Sequence, residues 1–189
     1  MAQGVNNRVT ELSTVPAEFF ERYAYPDWLV QHSLLVGRIG ELLARARRAT
    51  GDECDPAAIA LAGYLHDVGK SPLFRADTRH HGEIGALVLA AEALPGLAEA
   101  ARRHSVDSVL NPLLAPRDLA ERILYVADRR GGLVVQSVEE RIAEQIQRHP
   151  AYAERIRLSL EGAKRLEREV FAGLPFGPDD LAAELERQG

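Results

Sequence analysis

Residues 55–70 read DPAAIALAGYLHDVGK, an apolar run that ends in a histidine, an aspartate and a lysine. The Asp-Pro pair at its start is a favourable helix start, with aspartate as the N-cap and proline at the first helical position. The apolar residues that follow predict a buried helix that ends near Gly69. A buried carboxylate is costly unless it is paired or bound, and imidazole is a common metal ligand. This stretch therefore predicts a helix that carries His66 and Asp67 into the interior.

The same helical pattern continues on both sides of this run. Ala, Leu, Glu and Arg dominate, and no segment shows sustained period-two alternation, so an all-α fold is predicted. Residues 137–140, Ser-Val-Glu-Glu, fit a capping box at a later helix start. With no internal repeat or interdomain linker, we expect a single domain over residues 1–189. A short helical block opens at Pro16, and longer ones are predicted at about 27–48, 55–69, 80–93, 96–105, 117–129, 138–148, 151–172 and 179–187.

The composition is typical of a soluble globular protein, with 46% hydrophobic and 27% charged residues. A net charge of −5 without a dense basic tract argues against a nucleic-acid polymer as partner, although a small nucleotide in a local pocket stays open. The single cysteine excludes an internal disulfide and suits a reducing cytosol. The first residues lack a signal-peptide pattern, and the longest apolar stretch is about half a membrane span. We therefore expect a cytoplasmic protein with no membrane partner.

Several ionisable side chains lie on the apolar stripes of their predicted helices. His32 shares a helical face with Leu29, Val36 and Ile39. Apolar neighbours at the same helical spacing predict that four further side chains face inward, namely His66, His81, His104 and Asp128. Burying so many groups without a shared purpose would cost several kcal/mol each, whereas a metal site uses their lone pairs as ligands. The pattern therefore predicts that these helices converge on a metal site.

The order of these residues resembles a known signature. The H…HD…D order is similar to that of the HD-domain superfamily, metal-dependent phosphohydrolases with an all-helical core, and the positions that carry it are His32, His66, Asp67 and Asp128. LHDVGK is similar to the HDIGK form of that family, and YVAD resembles its last helix. His81 in HGEIGA and His104 in RRHS resemble the extra ligands of members that bind two metals. The resemblance covers about residues 28–130, and the C-terminal helices at about 137–188 carry no motif that we recognise.

Carried over by position, the resemblance implies two divalent metal ions. One would be held by His32, His66, Asp67 and Asp128. The other would be held by Asp67, His81 and His104, so that Asp67 bridges the pair. Such a site activates a water molecule near neutral pH, and histidine and carboxylate ligands suit iron or manganese among the divalent ions.

The resemblance also implies substrate contacts. Lys70, three residues after the HD pair, is assigned to neutralising a substrate phosphate, for which a flexible point charge is suited. A helix C-terminal charge is the alternative for that residue. Asp67 and Lys70 are thus the predicted catalytic residues. Four arginines adjacent to proposed ligands are candidate phosphate contacts, with a surface position open for each, namely Arg79, Arg103, Arg129 and Arg130.

Three functions stay open at this stage. The main hypothesis is hydrolysis of a phosphoester or phosphoanhydride in a small phosphorylated substrate of the nucleotide class. Among small stand-alone members the ligand order resembles the diadenosine tetraphosphate hydrolases, but the continuation RRGGLVV after Asp128 differs from their usual Ile-Glu-Pro. The same ligands would serve a di-iron oxygenase that acts on an organophosphonate or an inositol-like substrate. A metal-stabilised module that senses a nucleotide or binds a protein is the third.

The remaining features favour structural roles. The amphipathic run from Ser137 to Val170 predicts helices that cover the core or form a dimer surface, so a homodimer is a hypothesis. His149 precedes a proline at a helix junction, where a capping or solvent-facing position is expected. Core packing is favoured for Trp28.

Overall fold

The computed structural model describes residues 15–187. Its described part is all-α, which confirms the predicted fold class, and the pairing there is limited to an isolated bridge between Gly131 and Val135. No helix within residues 15–187 is long and apolar enough to cross a membrane. The expectation about a signal peptide falls on the first residues, outside this range. The described residues form ten α-helices, namely α1 Val15–Arg22, α2 Asp27–Ala49, α3 Pro56–Leu65, α4 His81–Ala91, α5 Pro95–Arg103, α6 Leu119–Arg130, α7 Val138–Arg148, α8 Ala153–Leu158, α9 Leu160–Phe171 and α10 Leu181–Arg187.

Helix α3 begins as the sequence predicts but ends earlier. The carboxylate of Asp55 accepts hydrogen bonds from two backbone N–H groups of the first turn. The expected end near Gly69 is wrong, because α3 stops at Leu65 and a 3-10 turn covers Val68–Lys70. A Cβ atom on Gly69 would collide with the carbonyl of His81, so the chain after α3 passes directly against the start of α4. The early end therefore lets the HD pair reach a neighbouring helix instead of continuing along α3.

The predicted helix at 151–172 is also interrupted. A 3-10 turn at Pro150–Tyr152 leads into α8, and α9 begins after a break at Ser159. The Ser159 hydroxyl donates to the carbonyl of Arg155, four residues earlier, at 3.0 Å. Such a bond competes with the helical ladder and bends helices, which accounts for the change of direction between α8 and α9. The capping box at the start of α7 is confirmed, since Ser137 and Glu140 exchange hydrogen bonds.

Helix α2 is the centre of the core. Its stripe contains the fully buried Val36, Ile39 and Leu43, which belong to one apolar cluster with residues of α3, α6, α7, α9 and α10. A second cluster contains Leu29 of α2 together with apolar residues from α1, α3, α4 and α5. Helices α2, α3 and α6 are thus fixed relative to one another by apolar burial, and α4 and α5 pack as a pair beside them. This arrangement surrounds the point where α3 ends.

The cap of α3 can be tested by stability. Asp55→Ala removes a carboxylate oxygen that accepts from the backbone N–H groups of Ala57 and Ala58, at 2.9 and 3.3 Å. We expect the free energy of unfolding to fall by about 1 kcal/mol, the usual effect of losing such a cap. Urea denaturation of the variant, with Glu53→Ala on the preceding exposed loop as a control, measures it. Equal stability of the two variants would show that the cap contributes nothing.

Candidate metal centre

The six residues proposed as metal ligands meet at the helix ends around α3. His66 and Asp67 directly follow α3, His104 directly follows α5, and His81 is the first residue of α4. His32 lies within α2 and Asp128 within α6. Five of these side chains are buried, and only about a quarter of the His81 side chain is exposed. The expectation that all of them lie within helices is therefore corrected, but the structure does bring all six together.

The two carboxylate oxygens of Asp67 face two different pairs of histidines. Oδ2 lies 3.4 Å from Nε2 of His32 and 3.4 Å from Nε2 of His66. Oδ1 lies 3.1 Å from Nε2 of His104 and 3.6 Å from Nε2 of His81. This is the arrangement that a carboxylate between two cation positions requires.

Asp128 completes the first of these groups. Its Oδ1 lies 3.4 Å from Nε2 of His32 and 3.9 Å from Nε2 of His66. Two sets of three ligand atoms each lie within 4.8 Å of one another, namely His32, His66 and Asp128, and His66, Asp67 and His104. His81 falls outside both sets, although its Nε2 is 3.1 Å from that of His104.

Backbone carbonyls fix the orientation of three of the imidazoles. His66 and His104 each donate from Nδ1 to the carbonyl three residues earlier, at 2.7 and 2.5 Å. His32 donates from Nδ1 to the carbonyl of Gly132 at 3.3 Å. A histidine that donates from Nδ1 presents an unprotonated Nε2 when neutral, which is the usual orientation of a metal-ligating histidine.

Buried polar atoms without partners show that the site fits a cation. Nε2 of His32 and of His66 and Oδ1 of Asp67 and of Asp128 are buried and have no hydrogen-bond partner within residues 15–187. Orphaned polar atoms in an interior are costly, and here four of them converge. Divalent metal ions would use these lone pairs as ligands, so the residues present fit such ions.

The electrostatics keep both carboxylates ionised. Burial raises the pKa of Asp67, but the Lys70 ammonium and the surrounding histidines outweigh it and hold that pKa well below its usual range. Burial likewise raises the pKa of Asp128, and the guanidinium of Arg129 together with the nearby imidazoles of His32 and His66 holds that pKa well below its usual range. Both side chains are therefore anionic ligand candidates at neutral pH.

The histidines divide into two electrostatic types. Burial lowers the pKa of His104, and burial together with the Lys70 ammonium lowers the pKa of His81 well below its usual range, so both are neutral at pH 7. Burial also disfavours a charged His32, but the carboxylates of Asp128 and Asp67, each with an oxygen 3.4 Å from Nε2, outweigh burial and raise the pKa of His32. The two carboxylates therefore favour positive charge at Nε2 of His32, where a cation would be held.

Two of the predicted substrate contacts lie at this centre. Nζ of Lys70 donates to Oδ2 of Asp67 at 2.6 Å, and about a third of its side chain is exposed. Arg129 is buried, donates to Asp128 and lies with its guanidinium 5.3 Å from the ring centroid of Tyr125. Its Nε and Nη1 are buried without partners among the described residues. Lys70 and Arg129 thus stand beside the ligand cluster as cationic groups.

The other three candidate arginines point elsewhere. Arg79 is exposed and pairs with Asp77. The guanidinium of Arg103 donates to the carbonyls of Leu113 and Ala115 at 2.8 and 3.3 Å, which fixes the loop before α6. Arg130 is held by Glu167 and by the carbonyl of Pro178. None of the three lines the two cavities described next.

Two cavities open beside the ligand cluster. The Tyr152 cavity, about 330 Å³, is lined by Asp128, Arg129, His81 and His104 and by residues of α7, α8 and the turn between them. The Trp28 cleft, about 460 Å³, is lined by Trp28, His32, Leu133, Arg141 and Arg148 among others. Lys70, His81 and His149 border both.

The cavities show residues that the sequence analysis missed or misplaced. Trp28 is 44% exposed and faces the cleft, so the expectation of core packing is wrong. His149 ends α7 at an exposed position, as expected, but that position borders both cavities. Gln145, Tyr152, Arg155 and Ile156 line the Tyr152 cavity. The helices that carry them were expected only to cover the core or form a dimer surface. The break at His149-Pro150 was the only local signal that the chain turns back towards the site.

An all-helical protein whose helix ends assemble histidines and aspartates around a buried cluster is a candidate metal-dependent protein. The family profile described as HD domain matches residues 29–131, just over half of the chain. The chain therefore belongs to the HD domain family, whose members are generally metal-dependent hydrolases of the phosphohydrolase superfamily. Neither the curated proteins nor the solved structures compared with the chain gave a match. The family and the cluster agree on a site of the metal-binding type.

Proposed function

We propose that this protein is a metal-dependent phosphohydrolase that cleaves a phosphoester or phosphoanhydride in a small substrate of the nucleotide class. The observation that carries the proposal is the convergence of unpartnered Nε2 and carboxylate oxygen atoms beside a cavity whose lining includes Asp128 and the buried Arg129. Membership of the HD domain family supports the reaction type.

The metal ligands in this proposal are the six predicted from the sequence, namely His32, His66, Asp67, His81, His104 and Asp128. The two faces of the Asp67 carboxylate support two ion positions with Asp67 between them. Neutral histidines with ionised carboxylates suit iron or manganese. When bound, divalent ions supply Lewis acidity and lower the pKa of water near the scissile bond.

The side chains of the chain itself would bind and orient the phosphoryl group. Arg129 has two nitrogen atoms, Nε and Nη1, without partners among the described residues, and planar guanidinium groups suit phosphate oxygens. Its ion pair with Asp128 ties that donor to the ligand cluster. Lys70 borders both cavities, and its ammonium sits on a flexible side chain. It can therefore leave the Asp67 carboxylate and bind instead a phosphate oxygen that enters from either cavity.

The direct test combines metal content with product formation. The protein is purified without oxygen, its metals are quantified, and phosphate release is measured from a panel of nucleotides and phosphonates with and without oxygen. We expect about two metal ions per chain, with phosphate release that is independent of oxygen and lost on chelation.

Two results would contradict the proposal. Turnover only with oxygen and two irons would place the protein among di-iron oxygenases instead. Metal-loaded protein that releases no phosphate from the panel would favour a non-catalytic module.

Arg129→Gln and Lys70→Gln, each of which removes one cation from the cluster, are expected to raise KM or lower kcat at unchanged metal content. Arg79→Gln is the matched control, because that arginine pairs on the surface with Asp77.

A further inference from the structure

Part of the lining of the Tyr152 cavity comes from residues beyond the part of the chain that matches the family. Helix α7, the turn at Pro150–Tyr152 and helix α8 all follow residue 131. Ile156 is buried at 4% exposure, Tyr152 is 64% exposed, and both line the cavity. Val106, in the turn that follows α5, lines it as well. Ile156, Tyr152 and Val106 thus form an apolar wall of a cavity that is also lined by His81, His104 and Asp128.

The same cavity contains a polar side chain with no protein partner. Gln145 of α7 lines it, and Oε1 of that side chain is buried without a hydrogen-bond partner within residues 15–187. A carboxamide offers an acceptor and donors side by side. Ser105, also in the lining, has a buried hydroxyl that likewise lacks a partner. Buried polar groups are normally paired, so these two mark positions for ligand atoms.

The rim of the cavity is held in place by charge. Arg155 of α8 forms an ion pair with Asp107 of the turn after α5, and both residues line the cavity. The Tyr125 hydroxyl donates at 2.8 Å to the carbonyl of Val106, which anchors the same turn to α6. The C-terminal helices are thereby docked on the HD segment at the cavity mouth, and the apolar wall has a defined position.

We propose that Tyr152, Ile156 and Gln145 form a subsite for a nucleobase, so that the C-terminal helices select the part of the substrate that is not phosphate. The proposal rests on the proposed function for its orientation, with the phosphoryl group at Arg129 and the base at the apolar wall. The base stacks on the exposed ring of Tyr152 and packs on Ile156, and its hydrogen-bonding edge meets the Gln145 amide.

A nucleobase fits these features better than other phosphorylated groups. The cavity volume, about 330 Å³, lies within the range of small-molecule sites, roughly 300–1,000 Å³. A sugar or an inositol ring presents hydroxyl groups on all sides and would leave them unpaired against Ile156 and Val106. A planar heteroaromatic ring has apolar faces for stacking and a polar edge for one amide.

The test uses nucleosides, which lack the phosphate. Binding of adenosine, guanosine, cytidine and uridine to the metal-loaded protein is measured by ligand-observed NMR and calorimetry. We expect at least one to bind, and Tyr152→Ala to weaken its affinity by about five- to a hundredfold, the usual range for removing one base-stacking ring. Tyr152→Phe keeps the ring and should bind nearly as the parent does. Gln145→Leu should reduce the discrimination among the four nucleosides.

The controls separate this proposal from the hydrolase proposal. Leu158→Ala changes an exposed apolar residue of α8 that does not line the cavity, and its nucleoside affinity should be unchanged. Because nucleosides carry no scissile phosphate, their binding supports the subsite even if no phosphate release is found. Absence of binding by all four, or equal binding by the parent, Tyr152→Ala and Gln145→Leu, would overturn it even if phosphate release is found.

Discussion

Asp67→Asn is expected to lose bound metal and, with it, at least about 100-fold of the phosphate-release activity. Replacing only an outer-shell partner of a metal ligand typically costs 10–100-fold, and Asp67 is predicted to bridge two ions. The substitution keeps the volume but removes a fully buried, ionised carboxylate whose two oxygens face four histidines. An asparagine presents one neutral acceptor and one donor, so one pair of histidines would face an N–H group.

Metal content and the thermal shift on adding metal measure this effect. Ligands that bind only the folded state stabilise it by mass action, so the parent should melt at a higher temperature with metal than without, and Asp67→Asn should not. Asp77→Asn is the matched control, because its carboxylate pairs on the surface with Arg79. A folded Asp67→Asn protein with unchanged metal stoichiometry would falsify the proposed role of Asp67.

The sequence predicted most of the helices and the convergence of the six candidate ligands, because both depend on local periodicity. His32 was identified from its apolar neighbours at helical spacing, and the structure places it in the buried stripe of α2. The caps at Asp55 and Ser137 were readable because a cap involves residues only a few positions apart. The end of α3 could not be predicted from the sequence. The chain departs from the helix before Asp67 because Gly69 packs on the start of α4, and no local sequence pattern contains that long-range contact.

The substrate side of the site was less predictable for the same reason. Arg103 and Arg129 each adjoin a predicted ligand, yet Arg103 anchors a loop while Arg129 lines the cavity. Sequence adjacency cannot distinguish them, since the direction of a side chain depends on the turn that follows its helix. Tyr152 and Gln145 reach the cavity through the docking of α8 on a turn about 50 positions earlier, held by the Arg155–Asp107 pair. Such long-range contacts have no sequence period that predicts them.

Gly63→Ala is expected to destabilise the fold by about 1–2 kcal/mol and to weaken metal binding. A Cβ atom on Gly63 would lie 2.6 Å from Cα and 2.7 Å from N of Gly37, so α2 and α3 would have to separate. Alanine favours a helix over glycine by about 1 kcal/mol, but overpacking against a backbone that cannot rotate away costs about 1–3 kcal/mol, and occasionally more. The rigid contact should therefore outweigh the helix preference.

The effect on metal binding follows from the hydrogen bond that Gly63 makes. Its carbonyl accepts from Nδ1 of His66 at 2.7 Å, and His32 lies on the helix that would be pushed away. Denaturant unfolding and metal affinity are measured beside Gly96→Ala, where an added Cβ meets nothing within 4 Å and stability should be unchanged or slightly raised. If Gly63→Ala and Gly96→Ala proved equally stable and bound metal alike, the close approach of α2 and α3 would not be what sets the distance between His32 and His66. The expected difference instead makes a glycine with no chemistry of its own a determinant of the metal site, because it fixes how near two imidazoles can come.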